Sequence, residues 1–519
     1  MPKDGALAEL TRDAGAVLQM VFPETEAPGW ALRALEAREL GGVVLFSRNL
    51  VDREQVTALC ARLREADEDV LISLDEEGGD VTRLEIGEGS SYPGNLALGR
   101  VDDVVLTEAV ARSIGLDLLE VGVNFNYAPC ADVNANPDNP VIGVRSFGAE
   151  SELTARHTAA YVRGLQSVGV IATAKHFPGH GDTSGDSHLG LPMVEYDAAL
   201  ELLHLAPFRS AIEAGTKAIM TSHILFPRYD TQLPATMSPR VLTGLLRNEL
   251  GFDGVIITDG IDMGAISGNW GVAEGTVRAV AAGCDALCWG GSREGEEAYL
   301  YLRDALVWAV REGRLPAERL HEAAERNRAA ARWSRQARAA AVKAVPDRSV
   351  GLQAARRAIT VRGEVKPLAE APHVVEFSPL VSLAVDSATP WGLAAPLAAL
   401  LPGTTAEQIH APTAGTESVG LTVTSVIDHD AVVDIAPVLA RAAARPLLLC
   451  VRDLHRNPWM RRAVEAVRAA RPDAVVVEFG LPHGDLADVL TYGGARVNGQ
   501  AAAELLTGRT GTTGRKSEH

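Results

Sequence analysis

Short apolar runs recur through the first part of this chain, each followed by a longer stretch with helical spacing, and that alternation constrains the fold more than any other feature. It is the pattern of parallel strands joined by crossover helices. The runs begin near Val17 to Phe22, Gly42 to Phe46, Val70 to Leu74 and Val123 to Tyr127, then Val170 to Ala174, Lys217 to Thr221, Val255 to Thr258 and Asp285 to Trp289. Eight strand-plus-helix repeats predict a (β/α)8 barrel. A helix rich in Ala, Glu and Arg, Pro316 to Arg332, ends this part, so residues 1–340 read as the barrel and 341–371 as a polar, Ala-rich connector. The remainder, 372–519, reads as a smaller α/β domain, with apolar runs at Pro446 to Val451 and Ala474 to Phe479 and a helical segment at Met460 to Ala470.

Charge narrows the partners. A formal net charge of −18 sets the general field against nucleic acid and against an anionic membrane surface. Cys60, Cys130, Cys284, Cys288 and Cys450 are odd in number and sit mostly in apolar runs, the usage of a reducing compartment. The segment Met1 to Val21 carries Lys3, Asp4, Glu9, Arg12 and Asp13 among its apolar residues, which interrupts any signal-peptide core, and no later run is long and charge-free enough to span a membrane. The expected location is the cytoplasm.

Polar residues fall at the ends of the apolar runs. Asp75, Lys175, His176, His223 and Asp259 each come within two residues of a run's end. In a barrel that places them at the carboxyl-terminal rim, where substrate-handling groups converge. Asp259, in Val255-Ile-Ile-Thr-Asp259, would be held rigidly in the barrel mouth, which suits a nucleophile. Asp262, slightly farther on, reads as a helix-start residue. Asp75, Arg83, Arg145 and the Lys175-His176 pair supply the fixed donors and acceptors of a sugar pocket.

The densest segment is Lys175-His-Phe-Pro-Gly-His-Gly-Asp-Thr-Ser-Gly-Asp-Ser-His188, continuing to Pro192. His176 and His180 are four apart, a metal-ligand spacing on a helix, but Pro178, Gly179 and Gly181 argue against a helix there. The glycines describe a loop leaving the fifth strand instead. In Asp186-Ser187-His188 an extended backbone puts the outer side chains on one side, so Asp186 would hold one ring nitrogen of His188 and orient it as a proton donor.

Together these segments resemble the bacterial β-N-acetylglucosaminidases of glycoside hydrolase family three, in their two-domain form. The resemblance runs through Gly41 to Phe46, Asp75 to Gly79, Asn139 to Gly148, Lys175 to Pro192 and Thr258 to Met263. It implies that Asp259 is the nucleophile, that Asp186 and His188 form the acid/base dyad, and that Asp75, Arg83, Arg145, Lys175 and His176 bind the terminal sugar. Asp80 stands where the family often has Arg, and Gly260 where it often has Ala or Asp.

The implied reaction is a retaining double displacement releasing terminal β-linked N-acetylglucosamine from a small carbohydrate substrate, with no metal or organic cofactor. Its aglycone, muropeptide fragment, chitobiose or another, stays open. An imidazole in place of a carboxylate base imposes no like-charge barrier on phosphate, so a β-N-acetylglucosaminide phosphorylase is the alternative, with Arg83, Arg145 and Lys175 adding positive potential. A sugar-binding sensor without turnover is a further alternative.

Overall fold

The structure, a computed structural model, describes the chain except residues 1, 186–189, 292–294, 343, 381, 383, 420–421, 510–514 and 517–519. Each of the first eight apolar runs carries a strand: β1 (Leu18–Met20), β2 (Gly42–Val44), β3 (Leu71–Leu74), β4 (Phe125–Asn126), β5 (Ile171–Phe177), β6 (Ala218–Thr221), β7 (Val255–Ile257) and β8 (Leu287–Cys288). They lie in the order β7-β6-β5-β4-β3-β2-β1-β8 with every pairing parallel. A parallel bridge between Ile257 and Ala286 joins the two ends and closes the barrel.

The runs are apolar throughout because both faces of each strand are covered. One alternate set, including Val44, Leu71, Phe125, Ile171, Ala218, Val255, Ile257 and Ala286, packs together inside the barrel. The other, including Val43, Ile72, Ala172, Ile219, Ile256 and Leu287, packs outward into the larger core. Helix starts are fixed by side chains: Asp52, Asp103 and Asp197 accept backbone N–H groups at the first turns of Arg53–Ala66, Val104–Glu120 and Ala198–Glu213. The barrel's last helix, Ala317–Ala340, runs past Arg332.

Within the stretch read as a connector, residues 349–358 form a helix and Thr360–Val361 form strand β9. Then come β10 (His373–Ser378), β11 (Thr405–His410), the hairpin β12 (Thr413–Val419) and β13 (Thr422–Ile427), β14 (Leu447–Val451), β15 (Val475–Glu478), β16 (Val489–Leu490) and β17 (Arg515–Lys516). Apart from the hairpin they form one sheet, ordered β11-β10-β14-β15-β16-β9-β17. It is parallel from β11 to β16, and β9 runs antiparallel to β16. Among the described residues no helix is long and apolar enough to cross a membrane.

Candidate active site at the barrel rim

The two-residue period that fills the barrel also builds its mouth. Continuing the same inward-facing alternation toward the strand ends stand Phe46, Asp75, Tyr127, Lys175, Met220, Asp259 and Cys288. All seven line one cavity of about 470 Å³, together with Glu77, Arg83, Arg145, His176, His180 and Asp262. Its floor is therefore apolar and its wall charged. Asp75, Arg83, Arg145, Lys175, His176 and Asp259, predicted at widely separated positions, are brought together here. Asp186 and His188 lie outside the described residues.

Glu77 organises one side. Its buried carboxylate takes Arg145 through Nε at 3.0 Å and Nη2 at 2.8 Å, and Lys175 Nζ at 2.7 Å. Burial alone would push Glu77 toward the neutral form; Arg145 and Lys175 outweigh it and hold the carboxyl well below its ordinary range. Lys175 also reaches Asp75 Oδ1 at 2.8 Å. Desolvation works against its charge, but Asp75 and Glu77 prevail, so its pKa is raised and it stays an ammonium. Asp75 also stands 3.9 Å from Arg83 Nη2, which donates to the carbonyl of Ala384 in the second domain at 3.0 Å.

Asp132 organises the other side. It accepts from His176 Nδ1 at 2.7 Å and from the backbone N–H of His180 at 2.7 Å. Desolvation raises its pKa and His176 lowers it, with the lowering dominant. His180 Nδ1 lies 2.8 Å from Thr183 Oγ1, and burial depresses its pKa to about 4. His176 and His180 thus engage different partners, neither as a helical ligand pair. Cys130, Asp132 and His176 do gather potential ligand atoms within 4.8 Å. There, though, His176 and the Cys130 thiol (3.2 Å) both hydrogen-bond Asp132 Oδ2, and burial keeps that thiol protonated. The arrangement fits a hydrogen-bond network better than a metal centre.

The nucleophile candidate is partly open to the cavity, and its Oδ1 accepts the N–H of Gly260 at 2.8 Å. His223, predicted at the rim, does not line the cavity. It is fully buried, and its Nε2 donates to the carbonyl of Gly260 at 2.9 Å while Nδ1 lies 2.8 Å from Thr236 Oγ1. Asp262 caps no helix: its Oδ1 accepts the N–H of Gly290 at 2.7 Å, and the helix that follows, Gly264–Ser267, has Met263 at its start. Sequence reasoning assigned no role to Glu77 or Asp132. Glu77 sits within the quoted Asp75 to Gly79 segment, and its place two residues past Asp75 was the available signal; nothing local marks Asp132.

The model of the family described as "Glycosyl hydrolase family 3 N terminal domain" matches residues 15–329. The β-hexosaminidase A of Pseudoalteromonas piscicida is 38% identical over 270 residues, 48% of this chain and 45% of that protein. The match thus spans less than half of that relative's length. A β-hexosaminidase of Vibrio cholerae is 36% identical over 262 residues, covering 50% of this chain and 78% of its own. Among solved structures, a glycoside hydrolase family 3 β-N-acetylglucosaminidase from Paenibacillus sp. str. FPU-7 is 34% identical, covers 98% of both chains and superposes with a TM-score of 0.82.

Proposed function

Because this chain belongs to glycosyl hydrolase family 3, we propose that it is a retaining exo-β-N-acetylglucosaminidase, hydrolysing terminal β-linked N-acetylglucosamine from small glycosides. The observation that carries the reading is the convergence of Asp75, just past β3, Lys175, near the end of β5, and Asp259, two residues past β7, on one cavity of about 470 Å³. A pocket of that size suits one terminal sugar. The sugar specificity rests on the named relatives, two β-hexosaminidases and a β-N-acetylglucosaminidase.

In this mechanism Asp259 attacks the anomeric carbon while His188, oriented by Asp186, protonates the departing oxygen; His188 then activates water against the glycosyl-enzyme, and configuration is retained. Asp75, Arg83, Arg145, Lys175 and His176 hold the sugar hydroxyls. Lys175 and Arg145 are already neutralised by Asp75 and Glu77, so they offer hydrogen bonds without a free positive field. Among the described residues, four carboxylates, Asp75, Glu77, Asp259 and Asp262, line the cavity against three cations, Arg83, Arg145 and Lys175. That balance supports water rather than a phosphate dianion as acceptor.

The deciding experiment is product identification from an aryl β-N-acetylglucosaminide over a range of phosphate concentrations at fixed pH and ionic strength. Free N-acetylglucosamine at a phosphate-independent rate is expected. N-acetylglucosamine 1-phosphate would replace hydrolysis with phosphorolysis, and absence of turnover would refute the enzyme. We place the protein in the cytoplasm, supported by five buried cysteines that are all free; cell fractionation that recovers it outside would overturn this.

A further inference from the structure

The loop after β3 carries Asp75, Glu77 and Arg83, and between Glu77 and Val81 it forms a tight, buried hairpin. Glu77 N–H donates to the carbonyl of Val81 at 3.0 Å, and Gly78 and Gly79 turn the chain with φ of 75° and 67°. A Cβ on Gly79 would lie 2.5 Å from Gly94 Cα, so the turn has no room to shift that way. Beyond the hairpin, Glu76 accepts the backbone N–H groups of Arg83 at 2.9 Å and Leu84 at 3.0 Å. Both legs of the hairpin are thus tied to sugar-site residues.

The tip is Asp80, and it is held by the second domain. Its carboxylate pairs with the Arg452 guanidinium in a contact buried on both sides, and Gly494 N–H donates to its other oxygen at 2.8 Å. Arg452 is in turn seated over the Trp391 ring at 5.1 Å. Arg83, the far leg's cation, gives Nη2 to Ala384 of the same domain, while its Nε is buried without a hydrogen-bond partner among the described residues. We propose that Asp80 and Arg452 are positioning residues of the sugar site, through which the second domain sets the placement of Glu77 and Arg83. The pair touches no reacting atom; it acts through the hairpin. A buried ion pair adds little stability relative to apolar packing, but it fixes direction, and a displaced sugar-binding group loses a contact made equally in ground state and transition state, which raises KM and spares kcat.

The kinetic part rests on the hydrolase reading; the amide-exchange part does not. In the full chain, Arg452→Met and Asp80→Asn should raise KM for an aryl β-N-acetylglucosaminide about tenfold or more while kcat changes less than about threefold. Both should accelerate hydrogen exchange at the Arg83 and Leu84 amides. Arg452→Lys should fall between them and the parent. Arg357→Ala, which breaks the 2.7 Å pair with Asp103 between the same domains, should change neither readout. If Arg452→Met does not fold, Asp80→Asn carries the test. Unchanged KM and exchange in a folded variant would overturn the proposal, as would an equal KM rise in Arg357→Ala. Should the parent enzyme show no turnover, the hydrolase reading fails and the exchange rates alone decide the positioning role.

Discussion

Glu77 is the sole buried carboxylate within reach of both Lys175 and Arg145 among the described residues, and the two cations differ in what they would keep without it: Lys175 retains Asp75, Arg145 retains a backbone carbonyl. Removing one member of a buried pair strands the other's charge. Glu77→Ala should therefore lose about 3 kcal/mol of stability in urea denaturation, where a loss below about 1 kcal/mol would mean that water screens Arg145. Asp259→Ala should instead abolish turnover with the fold intact, since Asp259 is partly open to the cavity rather than buried; full activity there, with loss in Asp262→Ala, would move the nucleophile. A third residue tests pH. His204 is fully buried, stacked on Tyr196 at 5.0 Å, with neither ring nitrogen hydrogen-bonded among the described residues, and desolvation lowers its pKa from 6.5 to about 4. The unfolded chain takes up that proton first, so the stability is complete above pH 6.5 and is lost as pH falls from there toward 4. The effect is about 2 kcal/mol at pH 5. His204→Phe should gain on the parent by that amount between pH 7.5 and 5, and parallel melting curves would rule it out. Asp75, Lys175 and Asp259 were legible as rim residues in the sequence, because each falls at the end of an apolar run; Glu77 and Asp132 find partners 98 and 44 positions away in a fold that local pattern does not encode.

At the scale of elements, strands were legible because burial on both faces makes them continuous apolar runs, and a strand fixes everything one period beyond it. Asp75, Lys175 and Asp259 follow from that rule. Loops follow no such rule: β4 holds only Phe125–Asn126 before the chain turns into the long irregular stretch that carries Asp132 and Arg145. His223 illustrates the limit, since its position after β6 was read correctly and its direction was not. It turns sideways to donate to the carbonyl of Gly260, tying the end of β6 to the end of β7 beside Asp259. Gly260 needs such a tie, having no side chain of its own to fix the backbone. His223→Phe should lower kcat about tenfold with KM little changed, because it loosens Asp259, the proposed nucleophile, rather than the proposed sugar contacts. A rise in KM at constant kcat would assign His223 to binding instead.

Domains joined within one chain move independently unless their interface is extensive, and here several separate ties cross it. Besides Asp80 with Arg452, Arg348 pairs with Asp117, Arg357 with Asp103, and Arg496 donates to the carbonyl of Gly89. Helix Ser349–Ala358 lies so near the barrel that a Cβ on Gly351 would stand 2.0 Å from the carbonyl oxygen of Ser91. That contact is backbone on both sides and cannot be relieved by a rotamer. Each tie is small, but all are lost together when the domains part, so unfolding one exposes the other's ordered loops. The full chain should therefore melt in one calorimetric transition, with calorimetric and van't Hoff enthalpies in agreement. Gly351→Val, which pushes the helix outward and strains the Arg348 and Arg357 ties it carries while leaving Asp80 with Arg452 in place, should split that transition in two. The earlier of the two should track rising KM if the hairpin depends on the docked second domain. Two transitions in the parent protein would show that the ties do not couple the domains, and a single unchanged transition in Gly351→Val would show that the helix yields at no cost.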